Sequence, residues 1–179
     1  MARCTLLLLI ATALAAAQPS AVWIDVPFVR QPPEGCGAAS VAMVMQYWAH
    51  QEHRSLTPAD HVASIQRQVE SPRLHGATPA ALERYLRRHG FLTFAVEGTW
   101  NDLEQQIRKG RPLIVALRPP DQRALHYVVI AGIDSARNTV SMNDPAQRRL
   151  LTQERAGFER DWSATHDWML LAVPQSAQH

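Results

Sequence analysis

The residue with the clearest chemical potential is Cys36, which stands between a loop rich in proline and glycine and an apolar stretch typical of a helix. A helix N-terminus carries unpaired N–H groups and partial positive charge, and both stabilise a thiolate. Gly35 and Gly37 flank the sulfur and would let a substrate carbonyl approach it. Gln31 can supply a side-chain amide that completes an oxyanion hole with the backbone N–H of Cys36. This stretch therefore predicts a nucleophilic cysteine.

A cysteine nucleophile needs a base, and the base needs a group that orients it. His126 begins an apolar run that extends to Ile133, and a second run over residues 139–143 ends at Asp144. If the two runs pair as a hairpin about a turn near residue 135, His126 lies opposite Asp144 at the open end. We therefore expect Asp144 to accept a hydrogen bond from one ring nitrogen of His126, while the other nitrogen faces Cys36.

Capping signals and periodicity indicate the elements that must position these residues. An apolar helix is predicted over residues 37–48, and N-cap patterns at Thr57 and Thr78 predict helices that run to about residues 69 and 90. A short helix is predicted over residues 101–109. Extended or strand segments are predicted at residues 23–29, 93–96, 112–117, 127–133, 139–142 and 168–173. Helices first and mostly antiparallel strands afterwards are typical of the α+β class.

The N-terminal residues predict export. A short basic start is followed by an apolar run that is too short to span a bilayer and ends in small residues at 15–17. We interpret residues 1–17 as a cleaved signal peptide, with an uncleaved membrane anchor as the alternative, and residues 18–179 as a single domain. The expected product is periplasmic or extracellular, without stable membrane insertion. Cleavage would remove Cys4 and leave Cys36 without a partner for an internal disulfide. The alternative to a catalytic role for Cys36 is that of a small, buried apolar residue.

Composition narrows the classes of partner. The chain has 179 residues, of which 46% are hydrophobic and 19% charged, so it can bury a core. A net charge of +2 argues against a nucleic-acid partner. His50 and His53 are close in sequence but lack further clustered ligands, so we expect no metal site there. The cysteine chemistry itself requires neither a metal nor an organic cofactor.

Several segments together resemble the peptidase C39-like family of papain-like cysteine peptidases. These segments cover residues 26–31, 36–48, 110–115, 126–132, 143–145 and 158–162. The resemblance spans about residues 22–173 and implies a papain-like α+β fold, with a helical half that carries Cys36 and an antiparallel sheet half that carries His126. It also implies roles as nucleophile, base, orienting group and oxyanion donor for Cys36, His126, Asp144 and Gln31.

The resemblance is closer to stand-alone secreted members of the family than to those fused to export transporters. The implied activity is hydrolysis of peptide bonds in a polypeptide substrate, expected to be an exported protein. The family often has proline at the position of Ala38, and a helix start tolerates alanine there equally well. Three alternatives stay open at this level: acyl transfer of the transglutaminase type, a non-catalytic peptide-binding module on the same fold, and a structural protein with an incidental cysteine.

Overall fold

A computed structural model describes residues 20–71, 73, 75–120 and 122–175. The first half of this chain is mostly helical. Its elements are strand β1 (Ala21–Trp23), helix α1 (Cys36–Gln51), a 3-10 turn (Pro58–Asp60), helix α2 (Val62–Val69), strands β2 (Glu70–Ser71) and β3 (Gly76–Ala77), and helix α3 (Pro79–Arg88). The predicted signal peptide, residues 1–17, lies outside the described residues.

The second half builds an antiparallel sheet. Its elements are β4 (Phe91–Glu97), α4 (Trp100–Arg108), β5 (Leu113–Leu117), β6 (His126–Asp134), β7 (Thr139–Asn143), β8 (Leu151–Glu154), α5 (Arg155–Ser163) and β9 (Trp168–Pro174). The strand order is β4-β9-β5-β6-β7-β8, and β1 pairs with β6. The predicted α+β class, with a helical half carrying Cys36 and a sheet half carrying His126, is confirmed.

The sheet is buried on both faces, which explains the nearly continuous apolar run in its central strands. In β5, Ile114 and Ala116 join the core beneath α1, α2 and α3, whereas Leu113, Val115 and Leu117 join the core beneath α4 and α5. This alternation follows from the two-residue period of a strand. Because each fully buried aliphatic side chain contributes roughly 1.5–3 kcal/mol, the two cores fix the orientation of the helical half against the sheet half.

The helix predicted to run from Thr57 to residue 69 is broken, and this prediction is wrong in detail. A 3-10 turn ends at Asp60, His61 is extended, and α2 begins only at Val62. Asp60 is fully buried; its carboxylate binds the Arg54 guanidinium, and its carbonyl accepts a hydrogen bond from a side chain of α1. These tertiary contacts hold Asp60 in place, so a continuous helix cannot form.

Two elements of the sheet half have no counterpart among the predicted ones, namely β8 and α5. Strand β8 alternates between partly buried and exposed positions, and α5 is anchored by the buried Phe158 and Trp162. In the part of the chain that is described, no helix has both the length and the apolarity needed to cross a membrane.

Candidate active site

Cys36 is the first residue of α1, so its sulfur lies at the positive end of a helix dipole. The residue is 9% exposed and forms part of the wall between the helical half and the sheet half. Close packing explains the glycine at position 37. A Cβ there would come within 3.1 Å of side-chain atoms of Ala77 and Leu82 and within 3.3 Å of Tyr127. Gly37 therefore allows α1 to begin close against β3, α3 and β6.

His126 and Asp144 meet at the end of the hairpin formed by β6 and β7. His126 Nε2 donates a hydrogen bond to Asp144 Oδ1 over 2.9 Å, and the two side chains are 16% and 5% exposed. The hairpin register differs from the predicted one. The ladder ends at Val129 opposite Asn143, and an irregularity lies between Ile130 and Gly132. Asp144 thus lies beyond the paired residues and reaches His126 diagonally, because its loop turns back towards the strand.

The loop after β7 holds the Asp144 carboxylate in place. Oδ1 also accepts the backbone N–H of Ala146 over 2.9 Å, and Oδ2 accepts the side-chain amide of Gln147 over 2.7 Å. Asn143, which is fully buried, donates to the Val26 carbonyl and accepts the Leu150 N–H, each over 3.0 Å. The carboxylate therefore has a fixed orientation before any substrate binds.

Gln147 is a site residue that sequence reasoning missed. A local signal could have identified it, namely the Asp-Pro pair at residues 144 and 145. In such a turn the aspartate carboxylate accepts the N–H of the residue two positions later, here Ala146. This turn places the next side chain, Gln147, beside the carboxylate.

The proton equilibria of the site favour a charged histidine. Burial lowers the pKa of His126, but hydrogen bonds and charge interactions with Asp144 and Cys36 outweigh burial and raise it from 6.5 to about 9. Burial raises the pKa of Asp144, yet the hydrogen bond and charge of His126 dominate, so the pKa is lowered overall. Since Asp144 occupies Nε2, the ring nitrogen left for the thiol is Nδ1. The arrangement can hold an imidazolium between a carboxylate and a sulfur.

Gln31 lies at the same site, on the segment that leads into α1. Its backbone N–H donates to the carbonyl of Pro145 over 3.0 Å, which ties this segment to the loop of Asp144. Its side-chain Oε1 is buried without a hydrogen-bond partner, and the side chain makes no hydrogen bond with the described part of the chain. The amide group is therefore available to a bound substrate. Gln31, His126 and Asp144 all line one pocket.

Within residues 20–71, 73, 75–120 and 122–175, no three His, Cys, Asp or Glu side chains cluster as metal ligands. His75, exposed, contacts the carboxylate of Glu34, and His89 stacks on Tyr85.

Solved structures share this fold at low sequence identity. The peptidase domain of Streptococcus ComA, a bi-functional ABC transporter of a quorum-sensing pathway, matches with a TM-score of 0.65 and 20% identity, covering 84% of this chain and all of that domain. A putative C39-like peptidase from Bacillus anthracis matches with a TM-score of 0.64 and 18% identity over 86% of this chain and 97% of that chain.

A third structure is a double glycine motif protease from an AMS/PCAT transporter, solved in complex with the leader peptide. It matches with a TM-score of 0.65 and 20% identity over 86% of this chain and 94% of that chain. At these identities the likeness shows the fold alone. No curated protein matches the chain.

The family assignment comes from the sequence model of the Peptidase_C39 like family, which matches residues 23–168. The match contains every residue of the site described above, from Gln31 to Gln147. The chain belongs to the peptidase C39-like family.

Proposed function

We propose that this protein is a cysteine peptidase in which Cys36 is the nucleophile, His126 the general base and Asp144 the group that orients it. The observation that carries the proposal is the hydrogen bond from His126 Nε2 to Asp144, which leaves Nδ1 for the thiol. Interaction with Cys36 is among the causes that raise the pKa of His126. Membership of a peptidase family supports the same activity. A packing role for the cysteine alone would not require a base and a buried carboxylate in line with it.

The reaction follows from the charge state of the pair. His126 takes the thiol proton, so that a thiolate faces an imidazolium. The sulfur attacks the peptide carbonyl carbon, and the carbonyl electron pair moves to oxygen. When the tetrahedral intermediate collapses, the C–N bond breaks and His126 gives its proton to the leaving amine. Water, deprotonated by His126, then cleaves the thioester and releases the carboxylate product and the free thiol.

We assign the oxyanion hole to Gln31 and the backbone N–H of Cys36. Supporting this role, the side-chain amide of Gln31 has no partner among the described residues, and its backbone is fixed to the loop of Asp144. A donor that is already in place when charge develops on the carbonyl oxygen costs no reorganisation during the reaction. Removing one such donor typically lowers kcat about 100-fold to 1000-fold.

The substrate class in this proposal is a polypeptide in the exported compartment. A protease of the same fold was solved in complex with a leader peptide, which supports a peptide ligand. The basic start and apolar run of residues 1–17 support export by a signal peptide, and a secreted enzyme follows from that proposal. N-terminal sequencing of the protein recovered from the culture medium and periplasm tests this part, because it should begin near residue 18.

The experiment that tests the activity compares the unaltered protein, Cys36→Ala and Ser40→Ala. Each form is incubated with a library of peptides obtained from denatured proteins, and the cleavage products are identified by mass spectrometry. We expect cleavage by the unaltered protein and none by Cys36→Ala. Ser40→Ala is the matched control, since Ser40 lies in the same helix, is fully buried and has a hydroxyl without a hydrogen-bond partner. Its removal should leave cleavage unchanged. Equal cleavage by Cys36→Ala would refute the proposed nucleophile.

A further inference from the structure

A polar pocket adjoins the proposed catalytic residues. It has a volume of about 520 Å³, and His126 and Asp144 form part of its wall, whereas Cys36 does not line it. This volume is within the range of pockets that bind small molecules or side chains. Its other polar wall residues come from five separate parts of the chain. They are Gln31, Gln122, Gln147, Gln153 and Asp161.

The strongest acceptor in this wall outside the catalytic group is the carboxylate of Asp161. Its side chain is 9% exposed, and Oδ1 accepts a hydrogen bond from the neighbouring Arg160 over 2.9 Å. Oδ2 makes no hydrogen bond with the described residues. The Arg160 side chain is 63% exposed and is not part of the pocket wall, and none of the described wall residues is a lysine or arginine. Oδ2 therefore keeps contact with solvent, and a donor on a ligand in the pocket can reach it.

Helix α5 holds Asp161 rigidly at this place. The adjacent Trp162 is 2% exposed and donates its indole N–H to the carbonyl of Trp168 over 2.9 Å. The carbonyl of Asp161 accepts the backbone N–H of Arg118 over 2.8 Å. The backbone of Asp161 is therefore fixed, and its carboxylate stays at the pocket. A cationic ligand would add a charge-assisted hydrogen bond to Oδ2.

The remaining walls suit the stem of a long side chain. Leu117, Met142 and Leu151 contribute apolar surface to the pocket. Lysine and arginine combine an apolar stem with a cationic end that carries several N–H donors. Such a side chain would pack its methylene groups against the apolar wall and bring its charge to Asp161. An acidic side chain would instead face the carboxylate of Asp161, whereas the charge of Asp144 is balanced by the His126 imidazolium.

The pocket lies on the side of the cleaved bond where the leaving amine departs. In the proposed reaction His126 gives its proton to the leaving amine, so the departing part of the peptide lies next to His126. A pocket that shares His126 and Gln31 with the site, but not Cys36, therefore receives the residue on the leaving side.

We infer that this pocket is a specificity subsite for a lysine or arginine immediately after the cleaved bond, with Asp161 as its acceptor. The inference rests on the proposed peptidase function and adds a substrate preference to it.

The test uses the peptide library described above and counts the residue that follows each cleavage site. The unaltered protein should show about tenfold enrichment of lysine and arginine at this position, as expected for one charge-assisted hydrogen bond. Asp161→Asn should lose most of this enrichment. Glu159→Gln is the matched control, because Glu159 lies on the same helix but pairs with Arg155 outside the pocket, and it should keep the enrichment.

A second comparison does not depend on the folding of a variant. Two synthetic peptides carry the best cleaved sequence, one with lysine after the bond and one with norleucine, which has a similar stem without charge. The unaltered protein should cleave the lysine peptide with a kcat/KM about tenfold higher. Cleavage without preference for a basic residue, or equal enrichment in Asp161→Asn, would overturn the inference and leave the peptidase proposal standing. No cleavage by any form would overturn both.

Discussion

Replacing Asp144 with asparagine tests how His126 is kept protonated. The substitution removes a negative charge at 2.9 Å from Nε2 but preserves the size of the side chain and an oxygen acceptor. The pKa of His126 is about 9 against an ordinary value of 6.5, a difference of 2.5 that corresponds to about 3 kcal/mol in favour of the imidazolium. Asp144 supplies the largest of the effects that raise this pKa, so we expect Asp144→Asn to lower it to roughly 7.

The assay is the rate of peptide cleavage between about pH 5 and pH 10. In the unaltered protein the imidazolium persists up to about pH 9, and the rate should fall above that value. In Asp144→Asn the fall should occur roughly two pH units lower. At about pH 8 the fraction of charged histidine then changes from about nine-tenths to about one-tenth, which predicts a loss of about tenfold in rate. At about pH 5.5 the two rates should be similar.

The control is Asp134→Asn, which removes a carboxylate from the other end of the same strand, where it pairs with Arg137. Its pH profile should match that of the unaltered protein. An alkaline fall at the same pH in Asp144→Asn and in the unaltered protein would refute the reasoning.

A measurement without substrate gives an independent check of the same pKa. The pKa of folded His126 lies above that of an unfolded histidine, so the imidazolium stabilises the fold fully below about pH 6.5, and this stabilisation is lost as the pH rises through about 9. The Tm of the unaltered protein should therefore fall over this window, and the Tm of Asp144→Asn should fall less. A parallel decline of the two curves would contradict the assigned coupling.

Three further substitutions have distinct expected outcomes. Gln31→Ala should lower kcat about 100-fold with little change in KM, as measured by steady-state kinetics, and an unchanged kcat would remove it from the oxyanion hole. Gln147→Leu removes the hydrogen bond to Asp144 Oδ2 and should lower kcat by a few fold. It should also shift the pH at which the cleavage rate falls to a slightly lower value. A change in KM alone would contradict this positioning role. Gly37→Ala should lower the free energy of unfolding by about 1 kcal/mol in urea titrations. The added Cβ would lie 3.1 Å from side-chain atoms of Ala77 and Leu82, and this crowding outweighs the roughly 0.5–1 kcal/mol that alanine gains over glycine in a helix. Equal or higher stability would show that this junction yields to the added atom.

The N-cap pattern at Thr78 was sufficient to predict α3, in which Thr78 accepts the Ala81 N–H. The pattern at Thr57 located the start of a helical turn but not its end at Asp60. The long apolar runs gave β5, β6 and β9 within a residue or two, because burial on both faces leaves a strong pattern. The position of Cys36 at a helix start followed from the loop residues before it.

The remaining differences come from contacts between distant segments. The irregularity in β6 adjoins Gly132, where a Cβ would come within 2.9 Å of Trp23 in β1, so the hairpin register depends on a strand more than 100 residues earlier. The break at Asp60 depends on Arg54 and on α1. Strand β8 has mixed burial and little sequence pattern of its own. The pairing of His126 with Asp144 was expected from a direct cross-strand register, whereas it is made by the loop that follows β7.

The most direct measurement of the central claim is the rate at which iodoacetamide alkylates Cys36, compared between the unaltered protein and His126→Ala at about pH 6.5. Mass spectrometry of the peptide that contains Cys36 separates its labelling from that of Cys4. If the imidazolium holds the sulfur as a thiolate, the unaltered protein should react at least about tenfold faster. Equal rates in the two proteins would mean that His126 does not activate Cys36, and would contradict the account.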